Sequence, residues 1–110
     1  MNKGEIILIT FPFTDLSGSK LRPALVLAAD KDDVTVAFIT TNLQQVNNTD
    51  MFLQKSSTNG LKKDSLVKMN KIATLDHGLI MGSVGQLVEN ELKEVDRKLL
   101  ILFNIKSLTL

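Results

Sequence analysis

The sequence predicts a mainly β (α+β) domain: a compact, bent antiparallel sheet or small barrel, finished by one helix. Three observations predict it. Short β-branched and aromatic runs alternate with breaks rich in Gly, Pro, Asp and Ser. The last of those runs contains Gly82 and Gly85, as strands do where a small barrel bends. Only the C-terminal stretch changes to a helical period. With 110 residues, 44% of them hydrophobic and 23% charged, the chain can bury one modest core and not two, so we read a single domain over residues 1–110.

The first strand is the run Gly4 to Phe11, opened by glycine and closed by Pro12. Phe11 to Lys20 collects Pro, Asp, Gly and two Ser, the composition of a long exposed loop. Pro23 biases Arg22 toward an extended backbone, so a second strand is expected to begin just after Arg22 and to run through Ala24–Ala29. Asp30-Lys31-Asp32-Asp33 turns it into a hairpin partner, Val34 to Thr40. Residues 41–50 are amide-rich and read as a loop with at most one helical turn. Met51-Phe52-Leu53 is a short strand, and residues 54–63 a polar loop. Leu66 to Leu75 reads as a strand with a solvent-facing lysine side, turned by Asp76-His77-Gly78 into a last strand over residues 79–87. Leu92, Val95, Leu99 and Leu102 then fall on one helical stripe, predicting an amphipathic helix over about residues 89–103.

Composition excludes several kinds of chemistry. The chain has no Cys and one His, His77, which leaves no disulfide, no thiol nucleophile, no histidine metal cluster and no His-based triad within one chain. No apolar run approaches the roughly 20 residues of a membrane span, and the N-terminus lacks a signal-peptide pattern, so a cytoplasmic protein is expected. Thirteen Lys plus Arg against twelve Asp plus Glu give a net charge of +1, and the whole-molecule field does not announce a nucleic-acid ligand. The distribution says more. Arg22 and Arg97 are the only arginines, so chemistry that needs a planar, permanently charged fork has two candidates.

The carboxylates are scattered and read as a solvated surface. His77 sits in a turn, where capping or exposure suits it better than catalysis. Gly78, Gly82 and Gly85 precede no Gly-Lys-Ser/Thr and open no helix, so strand bends explain them better than a phosphate loop. Lys62, Lys63, Lys68 and Lys71 can track a phosphate backbone, or serve as an ordinary solvated sheet edge. An arginine held before proline at the mouth of a loop can bind a phosphate bidentately or stabilise the added charge of its transition state; the alternative for Arg22 is a structural ion pair. Thr40, ending the neighbouring strand, supplies a hydroxyl beside it.

Taken together, Gly4-Glu5-Ile6, Pro12-Phe13-Thr14-Asp15, Lys20 to Leu27 with its Arg22-Pro23, Val36 to Thr40 and Lys71 to Asp76 resemble the MazF/PemK family of toxin endoribonucleases, over about residues 4–103. The resemblance implies an SH3-like bent β-barrel with a C-terminal helix, a homodimer, and metal-independent, cofactor-free cleavage of single-stranded RNA. It also implies an antitoxin partner whose extended acidic tail occupies the RNA groove, with operator DNA met only through the antitoxin complex and no membrane partner. The family's catalytic arginine and strand-ending threonine or serine match Arg22 and Thr40. The RNA 2′-hydroxyl would attack the adjacent phosphorus, leaving a 2′,3′-cyclic phosphate and a 5′-hydroxyl. Phe13, Thr14, Lys20, Thr41, Asn42, Lys62, Lys63, Lys68 and Lys71 are then the expected RNA contacts. Where some relatives carry an acid shortly before the arginine, this chain has Ser17-Gly18-Ser19-Lys20. The chain has no Trp or Tyr, which leaves Phe11, Phe13, Asn42 and Gln44 as candidate base readers. Two other functions compete: an inactive relative that binds only RNA or the antitoxin, and a small barrel that serves as a protein-interaction module. With few phosphate contacts, the salt dependence of RNA binding is expected to be shallow.

Overall fold

In a computed structural model of the chain, which describes residues 1–11 and 20–106, six strands form one antiparallel sheet: β1 Glu5–Phe11, β2 Lys20–Ala29, β3 Asp33–Thr40, β4 Asp50–Leu53, β5 Ser65–Asp76 and β6 Ile80–Gln86. A 3₁₀ turn, His77–Leu79, joins β5 to β6, and helix α1, Glu89–Leu102, ends the fold. The strand order is β4-β5-β3-β2-β1-β6. Expected elements and observed ones agree in kind and order. Two boundaries differ: β2 begins at Lys20, so Arg22 and Pro23 lie inside the strand, and residues 41–49 form no helical turn. Pro23 is tolerated there because β2 pairs with β3 only from Ala24 onward. Among the described residues no helix is long and apolar enough to cross a membrane.

Alternation along the strands sends side chains to two apolar clusters, one on each face. Ile6, Leu25, Ala37, Ile39, Met51, Leu53, Val67 and Met69 fill one, closed over by Leu92, Val95, Leu99 and Leu102 of α1, which is the stripe the sequence predicts. Ile7, Ile9, Ala24, Val26, Val34 and Val36 fill the other. A flat sheet could not bury both, and bulges supply the bend. The β1–β6 ladder shifts between Ile6 and Ile7 and between Leu8 and Ile9, leaving Val84 and Met81 without partners, and the β2–β3 ladder shifts at Leu27. The ladder stays open from β4 to β6, and the loop that follows β4 spans the gap. Gln86 N–H donates to Thr58 O at 3.0 Å. Asn59, fully buried, braces that loop through bonds with Ser56, Leu61 and Gln54.

The turns after β2 and β5 are held by aspartates, and in the second Asp76 accepts from Gly78 N–H at 2.7 Å. Asp30 accepts from the backbone N–H groups of Asp32 and Asp33 at 2.9 and 2.8 Å, and these bonds, that to Asp33 first, hold its carboxyl below the usual aspartate range, with His77 adding a smaller push. At α1, Glu91 reaches back to accept from Val88 N–H at 2.9 Å, and Glu89 and Glu91 place negative charge on the helix's first turn.

The loop's hold on the open sheet rests on two close backbone approaches, at Gly60 and at Gly85, where a Cβ would lie 2.3 Å from Thr58 O. Gly60 has φ +71° and a Cβ there would lie 2.1 Å from Val84 O, whereas a Cβ on Gly82 would meet nothing within 4 Å. Gly60→Ala is therefore expected to lower unfolding stability by more than about 1 kcal/mol, and Gly82→Ala to change it by no more than about 0.5 kcal/mol. Urea midpoints at constant m measure both, and equal losses would show that the loop does not clamp the sheet.

Candidate functional site

Three strands open an exposed groove of ≈ 460 Å³, lined by Arg22, Pro23, Phe38, Ile39, Thr40, Asn42, Gln45, Lys68 and Lys71. Its position follows from where pairing stops. The β2–β3 ladder ends at Ala24↔Phe38; two residues further on, where the strands splay, Arg22 and Thr40 take opposite sides of the opening. Both stand on the face of Ala24 and Phe38, the face of the second apolar cluster. The groove is the polar continuation of that face.

The third wall comes from a register break. Asp33 to Ala37 pair with Asp76 to Ile72, but the next pair is Phe38↔Lys68, so Met69, Asn70 and Lys71 have no β3 partner. Residues three apart on a regular strand face opposite sides. An odd slip reverses that: Val67 and Met69 point into the first cluster before the break and Ile72 after it, so Lys68 and Lys71 both face the groove.

The two arginines differ sharply. Arg97 is held on the helix surface by a bidentate pair, Nε and Nη2 each 2.8 Å from Glu94, which lowers the Glu94 pKa and raises that of Arg97. Arg22 is exposed and has no ion-pair partner among the described residues. On the opposite side, Thr40 Oγ1 accepts from Asn42 N–H at 3.1 Å and Asn42 Oδ1 accepts from Gln44 N–H at 3.0 Å. These consecutive side-chain turns fix the start of the 41–49 loop. The bond uses Thr40 Oγ1 as acceptor, so its hydroxyl hydrogen remains available to donate.

Lys68 is not a solvated lysine. Its Nζ lies 2.6 Å from Asp50 Oδ2, and the two side chains are 12% and 0% exposed. Asp50 Oδ2 also accepts from Asn47 N–H at 2.8 Å, pinning the far end of the same loop. Asp50 Oδ1 has no hydrogen-bond partner among the described residues.

Of the residues expected from the sequence, Arg22, Thr40, Asn42, Lys68 and Lys71 line the groove. Lys20, exposed, begins β2, and Thr41, exposed, follows Thr40 without lining it. Lys62 and Lys63 are exposed in the loop before β5, outside the groove. Phe13 and Thr14 lie outside the described residues. Pro23, Phe38, Ile39 and Gln45 line the groove unanticipated; Phe38 was legible as the strand neighbour two residues before Thr40, on the same face. His77 stands at the far end of β3 from Thr40, about 23 Å along the strand by its rise per residue, with Nε2 bonded to Asp30 O at 2.9 Å. That is a turn-holding role. Among the described residues no carboxylate or imidazole lines the groove, and no three of His, Cys, Asp and Glu gather as metal ligands. The arrangement offers a charged fork, a hydroxyl donor and an ammonium around an apolar floor. That set suits stabilising charge on a bound anion such as a phosphodiester.

Residues 2–103 match the family model described as PemK-like, MazF-like toxin of type II toxin–antitoxin system. No curated protein sequence matches the chain. Among solved structures, the chain is similar to the Mycobacterium tuberculosis toxin MazF-mt6, at 21% identity and a TM-score of 0.76 over 94% of this chain and 99% of that one. It is similar also to an endoribonuclease solved in complex with its cognate antitoxin from mycobacterial species, at 17% identity and a TM-score of 0.74 over 96% and 97% of the two chains. Identities this low carry the fold alone: a six-stranded antiparallel sheet with a terminal helix, an arrangement compatible with the expected bent barrel.

Removing Lys68 alone leaves a buried carboxylate uncompensated. Lys68→Met is therefore expected to cost about 3–5 kcal/mol, most of which the double variant Asp50→Asn/Lys68→Met recovers. Denaturant unfolding of the three proteins reads this directly, and a double variant as unstable as the single would refute it.

Proposed function

The chain belongs to the PemK-like, MazF-like toxins of type II toxin–antitoxin systems, and from that premise we propose that it is an endoribonuclease that cuts single-stranded RNA, including mRNA, in the groove between β2, β3 and β5. The observation that carries this reading is Arg22: an arginine with no ion-pair partner among the described residues, standing across the groove mouth from the Thr40 hydroxyl. In the proposed reaction the RNA 2′-oxygen attacks the adjacent phosphorus. The P–O2′ bond forms, the P–O5′ bond breaks, the 2′-hydroxyl proton passes to solvent and the departing 5′-oxygen takes one up. The products are a 2′,3′-cyclic phosphate and a 5′-hydroxyl. The Arg22 fork stabilises the charge gathered on the phosphorane and Thr40 donates to one of its oxygens. Arg22 is too weak an acid to give up its proton, so its part is electrostatic. The nucleophile belongs to the substrate, and positioning supplies the rest without metal or cofactor.

The partners follow from the same groove. An antitoxin segment with an extended acidic tail suits a channel holding Arg22 and Lys71, and a similar fold has been solved with its cognate antitoxin. Operator DNA is reached only through that complex. Acting on mRNA in the cytoplasm, the free toxin would stop translation and growth. A homodimer is part of the proposal, supported by Leu100, Ile101, Phe103 and Ile105, all exposed at the end of α1.

Incubating the purified protein with a long single-stranded RNA in EDTA is expected to give discrete cuts ending in cyclic phosphate. Arg22→Ala and Thr40→Val should each lower kcat by about 10²–10³, and added antitoxin should suppress cleavage. Intact RNA at high protein concentration, with a gel shift retained, would replace this reading with that of an inactive relative that only binds. Light scattering at micromolar concentration is expected to give twice the chain mass, and a monomer mass would remove the dimer from the proposal.

A further inference from the structure

The groove contains two kinds of surface, and the ion pair at Lys68 divides them. Arg22 and Lys71 are exposed and carry no ion-pair partner among the described residues, so each adds a full positive charge to the groove. Lys68 adds almost none at a distance, because Asp50 lies 2.6 Å from its ammonium and the pair is neutral as a unit. Lys68 is also unable to leave. Asp50 is fully buried with one oxygen unpartnered, so a lysine that swung away to a phosphate would strand an uncompensated charge in the interior. It is therefore a fixed donor: one N–H is spent on Asp50, and the ammonium of this groove-lining residue has two more to offer.

What surrounds that donor is apolar. Register places Ala24, Phe38, Lys68 and Asp50 in one row across β2, β3, β5 and β4. The half-buried ring of Phe38 is thus directly beside Lys68, with Pro23 and Ile39 also in the lining. A fixed, charge-compensated hydrogen-bond donor next to an aromatic ring is poor chemistry for a phosphate and good chemistry for a flat, neutral ring with acceptor atoms at its edge.

Resting on the endoribonuclease reading above, we infer that Lys68, locked by Asp50 and flanked by Phe38, is a base-reading residue that donates to an acceptor on one unstacked RNA base, while Arg22 and Lys71 hold the phosphates. Lys68 then sets cleavage-site preference at one nucleotide and contributes nothing to the electrostatic capture of RNA.

The test uses an oligonucleotide carrying the mapped cut site, with 2′-deoxyribose at the cut nucleotide so that attack is blocked. Binding is measured across salt for the parent, for Lys71→Met and for Asp50→Asn/Lys68→Met, the double variant that leaves no buried unpaired charge. Each lost single-strand phosphate contact lowers the slope of log K against log salt by about 0.7. Lys71→Met is expected to show that decrease, and the double variant to keep the parent's slope. At the nucleotide read by Lys68, the double variant's preference for the best base over the others should fall by about tenfold, in end-mapping of cleaved RNA and in affinity for base-substituted oligonucleotides. A double variant whose slope also drops by about 0.7 would make Lys68 a phosphate ligand and overturn the inference. An unchanged slope with unchanged base preference would overturn it equally, leaving Lys68 a structural residue. A parent that binds without cutting removes the catalytic reading and leaves no cut site to map, and slope and base preference are then read on single-stranded RNA oligonucleotides that differ one base at a time; a parent that does not bind RNA removes both.

Discussion

The three-residue slip between β3 and β5 is the constraint on which the rest of this structure depends. Phe38 pairs with Lys68 one step after Ala37 pairs with Ile72, and Met69 to Lys71 are accommodated without partners. Because the slip is odd, it exchanges the faces of the strand. Met69 and Ile72 both reach the core beneath α1, and Lys68 and Lys71 both reach the groove. A regular strand would split each of those pairs and send one member of each to the wrong side. The first residues of β5 pair with β3 and β4 at once, whereas those beyond the slip pair with β3 alone. One irregularity thus bends the sheet, completes the core and puts a charged wall beside Arg22.

Most of the fold was legible because its elements are locally consistent. The stripe Leu92, Val95, Leu99 and Leu102 needs no tertiary information to be read as a helix face, and it is the face that meets the core. The hairpin around Asp30 likewise declares itself through its turn residues, which do hold the turn by side-chain bonds. Arg22 and Thr40 were legible for a different reason: each lies two residues beyond the last β2–β3 pair of one hairpin, and hairpin register is short-range arithmetic. The groove's third wall was not legible in that way. Lys62, Lys63, Lys68 and Lys71 look alike in the sequence, and only long-range pairing separates the first two, outside the groove, from the last two. Asp50, eighteen positions from Lys68, gives no local sign that it will neutralise it.

Burial also reassigns meaning within the site. A lysine read from composition is a mobile positive charge, whereas Lys68 is a half-buried donor in a neutral pair. Phe38 reads as an ordinary strand aromatic, yet the slip places it between an apolar cluster and an open groove. In both cases the chemistry depends on a partner far away in sequence.

Net charge is a poor guide to what such a groove can attract. A chain at +1 has little long-range field, and some of its lysine charge is compensated locally: Lys3 by Asp96, Lys93 by Glu89, Lys68 by Asp50. What remains in the groove is a small number of cations without an ion-pair partner among the described residues, Arg22 and Lys71. Attraction from two charges is weak and short-ranged at physiological salt, where the screening length is about 8 Å. Long polyanions would then gain little over short ones beyond the few nucleotides that span the groove, and discrimination would rest on fixed, close contacts. A site so built selects its ligand after contact and not by steering toward it; under the proposed function, that arrangement would let a weakly charged protein act on particular stretches of single-stranded RNA without adhering to all of it.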